Sequence, residues 1–336
     1  MFFPHDEDLY KMLILSGQDV DECLPIGAAV AGMREAFAAV SAHRVELPDR
    51  TLIPLGDDSQ LALFMPAYVK NSSFVTVKSV TVFPENGSHS LPSVQSIVQV
   101  FDASTGSPVA LIDGTRLTAI RTAAGGAASV ELLAREECSS LAMIGSGTQA
   151  RAGIEAVCHV RAIDEIRLFS RNEGNARQLA EEFSPYDWCP TIQVTTDPDE
   201  ATLGADIVWT ATNSYVPTFS ETSIAPGTHI VGVGSFQPSM AEIPPFLFKT
   251  ASIFVDQIEA CWSEAGEVIA ARAEGHINSE DVLELGEVEL GNHPGRRSNQ
   301  EVTIFKSVGI AIQDAVASSI AVNAAKTRGV GTKVSL

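Results

Sequence analysis

The segment Leu141-Ala142-Met143-Ile144-Gly145-Ser146-Gly147-Thr148-Gln149-Ala150 constrains the fold of this chain more than any other. An apolar run ends in a Gly-x-Gly-x-x-Ala turn and then reads as a helix. Gly145 permits a tight turn out of a strand, Gly147 lets backbone approach a pyrophosphate, and the small Ala150 lets helix and strand pack closely. The pyrophosphate would sit at the positive end of the following helix. Such a turn by itself is equally compatible with a structural glycine corner. Its context strengthens it: the turn follows a strand, opens a helix and begins an alternating pattern.

From Ser140 onward, short apolar strands alternate with helical stretches. Residues 165–169 precede 175–183, and 191–196 precede an acidic segment at 197–205. Further apolar runs follow at 206–212, 229–235 and 251–256. That alternation predicts a parallel sheet covered on both faces. The upstream part differs. It holds a helical stretch at 25–42 and strand-like runs at 61–69, 73–83 and 96–102, with turn signals such as Pro84-Glu85-Asn86-Gly87 between them. An Ala-rich helical stretch at 113–135 marks the change, and 307–325 reads as a long amphipathic helix returning to the first part. At 336 residues two domains are expected. The fold class expected is α/β. A Rossmann-type doubly wound parallel sheet domain spans 126–314, beside a discontinuous α/β domain made of 1–125 with 315–336.

The end of the strand after the glycine turn selects the cofactor. A carboxylate there binds the ribose hydroxyl of NAD, whereas a nearby Arg accommodates the 2′-phosphate of NADP. Here Phe169 is followed by Ser170 and Arg171, a hydroxyl and a guanidinium with no repelling carboxylate. The expectation is NADPH in preference to NADH.

Composition excludes other partners. A net charge of −20 argues against nucleic acid and against an anionic membrane surface. Five scattered cysteines lack pairing or metal-like spacing and suggest reduced thiols in a cytoplasmic compartment. The first residues show no basic region followed by an apolar core, and no apolar run is long enough for a bilayer.

Outside the cofactor turn three cations draw notice. Lys78 shares a strand face with Phe74 and Val80, where a lysine is unusual unless partnered. Arg121 sits among small residues that would let a ligand approach its guanidinium, and Arg50 lies at a loop-to-strand junction. Converging on one pocket they would suit a carboxylate substrate. No metal-ligand spacing or Ser-His-Asp order is present. His229 and His159 read as a strand-start and a helix-end residue.

These motifs bear a family resemblance nearly end to end. Residues 77–94, 104–124, 144–150, 206–212, 227–243 and 303–315 together resemble the ornithine cyclodeaminase/mu-crystallin family. The resemblance implies a dinucleotide domain paired with a substrate-binding and dimerisation domain, hence a homodimer. It implies that Arg50, Lys78 and Arg121 surround the substrate carboxylate and the reacting nitrogen. Gly145, Gly147, Thr148, Gln149 and Ala150 would take the pyrophosphate, and Ser170 with Arg171 the adenosine ribose. Thr210, Thr212, Val233, Gly234, Phe236 and Ser307 would line the nicotinamide side, with Ser93 reaching the cofactor from the first domain.

Phe236 chooses among activities. The cyclodeaminases of the family resemble one another in having an Asp where this chain has Phe236. A benzyl side chain cannot manage an amine proton. The form Gly234-Ser235-Phe236-Gln237-Pro238 resembles the imine-reductase branch. The implied reaction is NAD(P)H-dependent reduction of cyclic ketimine carboxylates: Δ1-pyrroline-2-carboxylate to L-proline, or Δ1-piperideine-2-carboxylate to pipecolate. The alternatives are an ornithine cyclodeaminase with bound NAD, an amino-acid dehydrogenase, and an NADPH-binding crystallin-like protein.

Overall fold

The structure, a computed structural model, describes residues 11–56, 60–89 and 91–335. The N-terminal residues 1–10, read above for a leader, lie outside the described ones. Along the chain the first elements are β1 (Lys11–Leu15), α1 (Gly17–Cys23), α2 (Ile26–Ser41), β2 (Val45–Glu46), β3 (Thr51–Leu55), β4 (Gln60–Val69), β5 (Phe74–Val82), β6 (Val94–Asp102), β7 (Pro108–Asp113) and α3 (Gly114–Leu133). Next come β8 (Ser140–Ile144), α4 (Thr148–Val160), β9 (Glu165–Phe169), α5 (Glu173–Phe183), β10 (Ile192–Thr195), α6 (Pro198–Thr202), β11 (Ile207–Thr210) and β12 (His229–Gly232). The remainder is β13 (Ser252–Val255), α7 (Ile258–Glu264), α8 (Gly266–Ala273), β14 (Val282–Glu284), α9 (Leu285–Glu289), β15 (Thr303–Lys306), α10 (Ala311–Arg328) and β16 (Thr332–Ser335).

The chain divides into two compact units. Unit 1 comprises Met1–Ala39, His43–Arg121 and Ala311–Leu336; unit 2 comprises Val40–Ala42 and Thr122–Ile310. In unit 1 the strand order is β16-β1-β7-β6-β5-β4-β2, with β3 also paired to β4. The pairs are antiparallel except β1 with β7. Residues of β5 alternate between buried and half-buried, which gives the sheet one covered face. Lys78 is on that covered face, opposite Met65 of β4 and Val98 of β6. Helix α10 packs over β4 and β5.

Unit 2 has the strand order β10-β9-β8-β11-β12-β15-β13-β14, every pair parallel. Counted from β8, the strands stand in the order 3-2-1-4-5-8-6-7, whose first five places are those of two mononucleotide-binding halves meeting at β8 and β11. Strands β11, β12 and β15 are buried at every residue, as a sheet covered on both faces requires. The indole of the buried Trp209 on β11 is wedged against Gly126 of α3 and Gly153 of α4. A Cβ at either glycine would lie 2.2 or 2.8 Å from a ring atom. Two of the small residues in these helices are therefore seats for one ring.

Two sequence expectations need correction. Helix α10 starts at Ala311, and 307–310 is irregular, because the Asp256 carboxylate accepts the backbone N–H groups of Val308 and Gly309 in a non-helical turn. Nor is α10 amphipathic in its first half: every residue from Ala311 to Ser318 is buried. A helix sunk in the fold shows no polar stripe. The sequence also gave no sign of the short elements α1, β1 and β16.

Candidate active site

In unit 1, β5 brings Lys78 and α10 brings Asp314 to one point, and α3 adds Arg121. The Lys78 Nζ lies 2.8 Å from Asp314 Oδ2, and the Arg121 Nε donates to Asp314 Oδ1 at 2.9 Å. An Arg121 Nη1 donates to the Gln313 side-chain carbonyl at 3.2 Å. All three ionic side chains are buried, at 3%, 4% and 1% exposure for Lys78, Arg121 and Asp314. Asp314 sits in the first turn of α10, where the helix dipole favours a carboxylate.

Burial pushes the Lys78 ammonium down from the ordinary lysine value to about 8. Asp314 opposes that fall, while the charges of Arg121 and the half-buried Arg50 add to it. Burial alone would raise the Asp314 carboxyl, but Arg121 and Lys78 outweigh it and hold it below the usual carboxylate range. The cluster thus has two fixed cations sharing one anion. Among the described residues Lys78 has Asp314 as its one partner, and Arg121 Nη2 has none. The remaining donors suit a second carboxylate, brought by a ligand. Ser93 stands apart: it is exposed, and its hydroxyl donates to Pro84 O at 3.4 Å.

In unit 2 the glycine turn has the features a dinucleotide needs. Gly145 adopts φ +120°, and a Cβ there would meet Ala211 O at 2.4 Å. Gly147 has nothing within 4 Å of where a Cβ would point, and it caps α4 without any side-chain hydrogen bond. The first N–H groups of α4 therefore face an open cradle, which fits a pyrophosphate. Gln149 adds a buried Oε1 with no partner among the described residues. Thr148 opens the helix, and Ala150 is fully buried against the sheet. At the end of β9, the Ser170 hydroxyl meets that of Ser146 at 2.8 Å, and Arg171 is exposed.

The residues expected on the other half lie at the end of β11 and on the loops after β11, β12 and β15. Thr210 is buried, its hydroxyl near Val231 O at 3.5 Å. Thr212 donates both N–H and Oγ1 to Glu242 Oε1, at 2.6 and 2.8 Å, so its hydroxyl proton is already engaged. Val233 donates its N–H to Thr210 O at 3.1 Å. Gly234 donates to Glu242 Oε2 at 2.7 Å. Phe236 packs half-buried on the apolar core of unit 2. The Ser307 hydroxyl donates to Asp256 Oδ2 at 2.6 Å, and its oxygen accepts the Gly309 N–H at 3.2 Å. His229 is wedged between Ser129 and Thr303, and burial, with the charges of Arg296 and Arg161, lowers it to about 3. It stays neutral, as a packing residue.

Comparison with known proteins accords with this geometry. The family model described as the ornithine cyclodeaminase/mu-crystallin family matches residues 10–328. The chain belongs to this family. It is 35% identical over 325 residues to a Δ1-pyrroline-2-carboxylate reductase of Bacillus cereus, covering 96% of this chain and 99% of that protein. The structure of the Thermococcus litoralis Δ1-pyrroline-2-carboxylate reductase with NADH and L-proline superposes with a TM-score of 0.92 at 34% identity, covering 96% of this chain and all (100%) of that one. An archaeal alanine dehydrogenase dimer with bound NAD gives a TM-score of 0.89 at 30% identity, over 96% of this chain and 99% of that one.

For this member of the ornithine cyclodeaminase/mu-crystallin family, sequence reasoning missed the anions. Asp314 had a signal: a carboxylate inside the apolar run Val308 to Val316. Glu242, Glu267 and Asp256, and with them the cation Lys306, have no local sequence pattern that marks them. All are buried.

Proposed function

We propose that this chain is an NAD(P)H-dependent reductase of cyclic ketimine carboxylates, with Δ1-pyrroline-2-carboxylate to L-proline as its reaction. The observation that supports it most is the buried trio of Lys78, Arg121 and Asp314. Reduction of such an imine needs a hydride on carbon, a proton on nitrogen and a grip on the carboxylate. The bound dinucleotide supplies the hydride. The Arg121 Nη edge takes the carboxylate, and the charge of Arg50 assists it. Lys78 Nζ, near 8, is charged at neutral pH and close enough to neutral to give a proton towards the ring nitrogen. Asp314 holds both cations in place, so catalysis rests on positioning and electrostatics.

Unit 2 supplies the dinucleotide site, with Gly145, Gly147, Thr148, Gln149 and Ala150 at the pyrophosphate. Ser170 and Arg171 at the end of β9 support use of NADPH, with NADH also accepted. Thr210, Thr212, Val233, Gly234 and Ser307 belong to the nicotinamide half. Phe236, an apolar side chain in place of an acid or base, supports reduction over cyclodeamination. In unit 1 the sheet face opposite Lys78 exposes Ile53, Phe64 and Ile97, which supports a homodimer formed through that face. Five free cysteines support a reducing, cytoplasmic setting, and among the described residues no single helix is long and apolar enough to cross a membrane.

The test is oxidation of NADPH and of NADH with five- and six-membered cyclic imine carboxylates, with ornithine in parallel. Turnover of an imine is expected. No oxidation with either ring, together with ammonia release from ornithine without added reductant, overturns the proposal. The likeness to an alanine dehydrogenase favours a second reading, reduction of the open-chain imine formed from a keto acid and ammonia. Faster turnover of pyruvate with ammonia than of either ring would select it.

A further inference from the structure

The loops after β11 and β12 are joined by one side chain. Glu242 is fully buried and accepts four hydrogen bonds: Thr212 N at 2.6 Å and Thr212 Oγ1 at 2.8 Å on Oε1, Gly234 N at 2.7 Å and Ser235 N at 3.0 Å on Oε2. Three of the four partners are backbone N–H groups, which can only donate, and this set suits an acceptor-only carboxylate. Burial raises the Glu242 carboxyl, and Lys306 opposes that rise. The loops close so tightly that a Cβ on Gly234 would lie 2.3 Å from Thr212 O and 2.4 Å from Glu242 Oε1.

A second layer lies beneath. Lys306 Nζ donates to Ser235 O and to Ser235 Oγ, both at 2.6 Å, and pairs with Glu267 at 3.2 Å. The Ser235 hydroxyl in turn donates to Glu267.

In a sheet that begins 3-2-1-4-5 the two mononucleotide halves lie on opposite sides of the boundary between the first strand, here β8, and the fourth, β11. The adenosine half belongs to β8, β9 and β10. The loops joined by Glu242 follow strands 4 and 5, and so belong to the nicotinamide half. We propose that Glu242 is a positioning residue for the nicotinamide half of the dinucleotide, its carboxylate fastening the two loops into one wall that Lys306, Ser235 and Glu267 brace from below. This rests on the reading of unit 2 as a dinucleotide domain. Glu242 has no open lone pair directed at a ligand and acts through the loops.

The test measures equilibrium binding of NADPH, NADH and ADP-ribose, which lacks the nicotinamide, to the full chain and to Glu242→Gln. A Gln presents an N–H₂ to donors on one side whichever way it is turned. The Kd for NADPH and NADH is expected to rise about tenfold or more, while that for ADP-ribose stays within about twofold. A purely structural role would weaken all three ligands together, and that result overturns the proposal, as does an unchanged dinucleotide Kd. If Glu242→Gln does not fold, Thr212→Val removes one donor of the four. A rise of about threefold confined to the dinucleotides is then expected, and no difference between ligands overturns the proposal. A wild-type protein that binds neither NADPH nor NADH overturns the dinucleotide reading itself and this proposal with it. Normal wild-type binding with an unaltered variant overturns only the role of Glu242.

Discussion

In unit 1, Lys78 and Arg121 share the single carboxylate of Asp314, while in unit 2 the single ammonium of Lys306 sits among Glu267, Ser235 and, one layer above, Glu242. Both clusters are buried and both draw on elements far apart in sequence. They differ in sign and in completeness. The first has more cations than anions and donors left over for a ligand. The second has more anions than cations, and its acceptors are filled by backbone N–H groups and hydroxyls. A surplus of unsaturated charge is what a reacting group needs. A saturated network fixes geometry, and its members tolerate little change.

Paired substitutions can break this contrast. Lys306→Met removes the cation paired with Glu267 and is expected to cost about 3–5 kcal/mol of stability, read by urea denaturation. Lys78→Met leaves Asp314 paired to Arg121 and should cost clearly less stability, yet cut kcat/KM for imine reduction by about 10²–10⁴-fold. Arg121→Ala should also lose most turnover. Near-normal activity of either unit 1 variant, or equal destabilisation by both lysine changes, would erase the difference between the clusters.

The next test uses pH. Because Lys78 must be protonated to act as acid, kcat/KM should hold below its value of about 8 and fall as pH rises through it. Asp314 raises the Lys78 value, so Asp314→Asn should move that alkaline limb about one to two units lower. A limb that stays in place would separate Asp314 from the acid.

A third prediction concerns packing in unit 2. Gly153→Ala places a methyl against the Trp209 indole and should cost about 1–3 kcal/mol, measured by thermal or urea unfolding. The smallest effect belongs to the surface. Arg171→Ala should raise the KM for NADPH by up to about fivefold and leave that for NADH unchanged. Equal effects on the two cofactors would remove Arg171 from the 2′-phosphate.

Legibility followed the range of the interactions. The glycine turn and the strand alternation of unit 2 are local patterns, and β8, β9, β11 and β12 appear where their apolar runs stand. Lys78 was visible because a strand of period two placed it among Phe74 and Val80. The first half of α10 was misread as amphipathic because its environment, buried on every side, is not written in its own spacing. Asp314 was noticed only as part of a motif, since its partners lie on β5 and α3.

By itself the sequence determined the parallel α/β architecture of unit 2, the dinucleotide turn with Ser170 and Arg171 downstream, and a lysine on an apolar strand face. These follow from backbone periodicity and from glycine's freedom at one turn, which act over a few residues. Only the tertiary structure decided which charges meet. It gave Lys78 and Arg121 one shared anion, and it turned Glu242 into the joint between two loops. The physical reason is that the energy of a buried ion depends on partners within a few ångströms, and here the fold draws those partners from places as distant in the chain as Lys78 and Asp314.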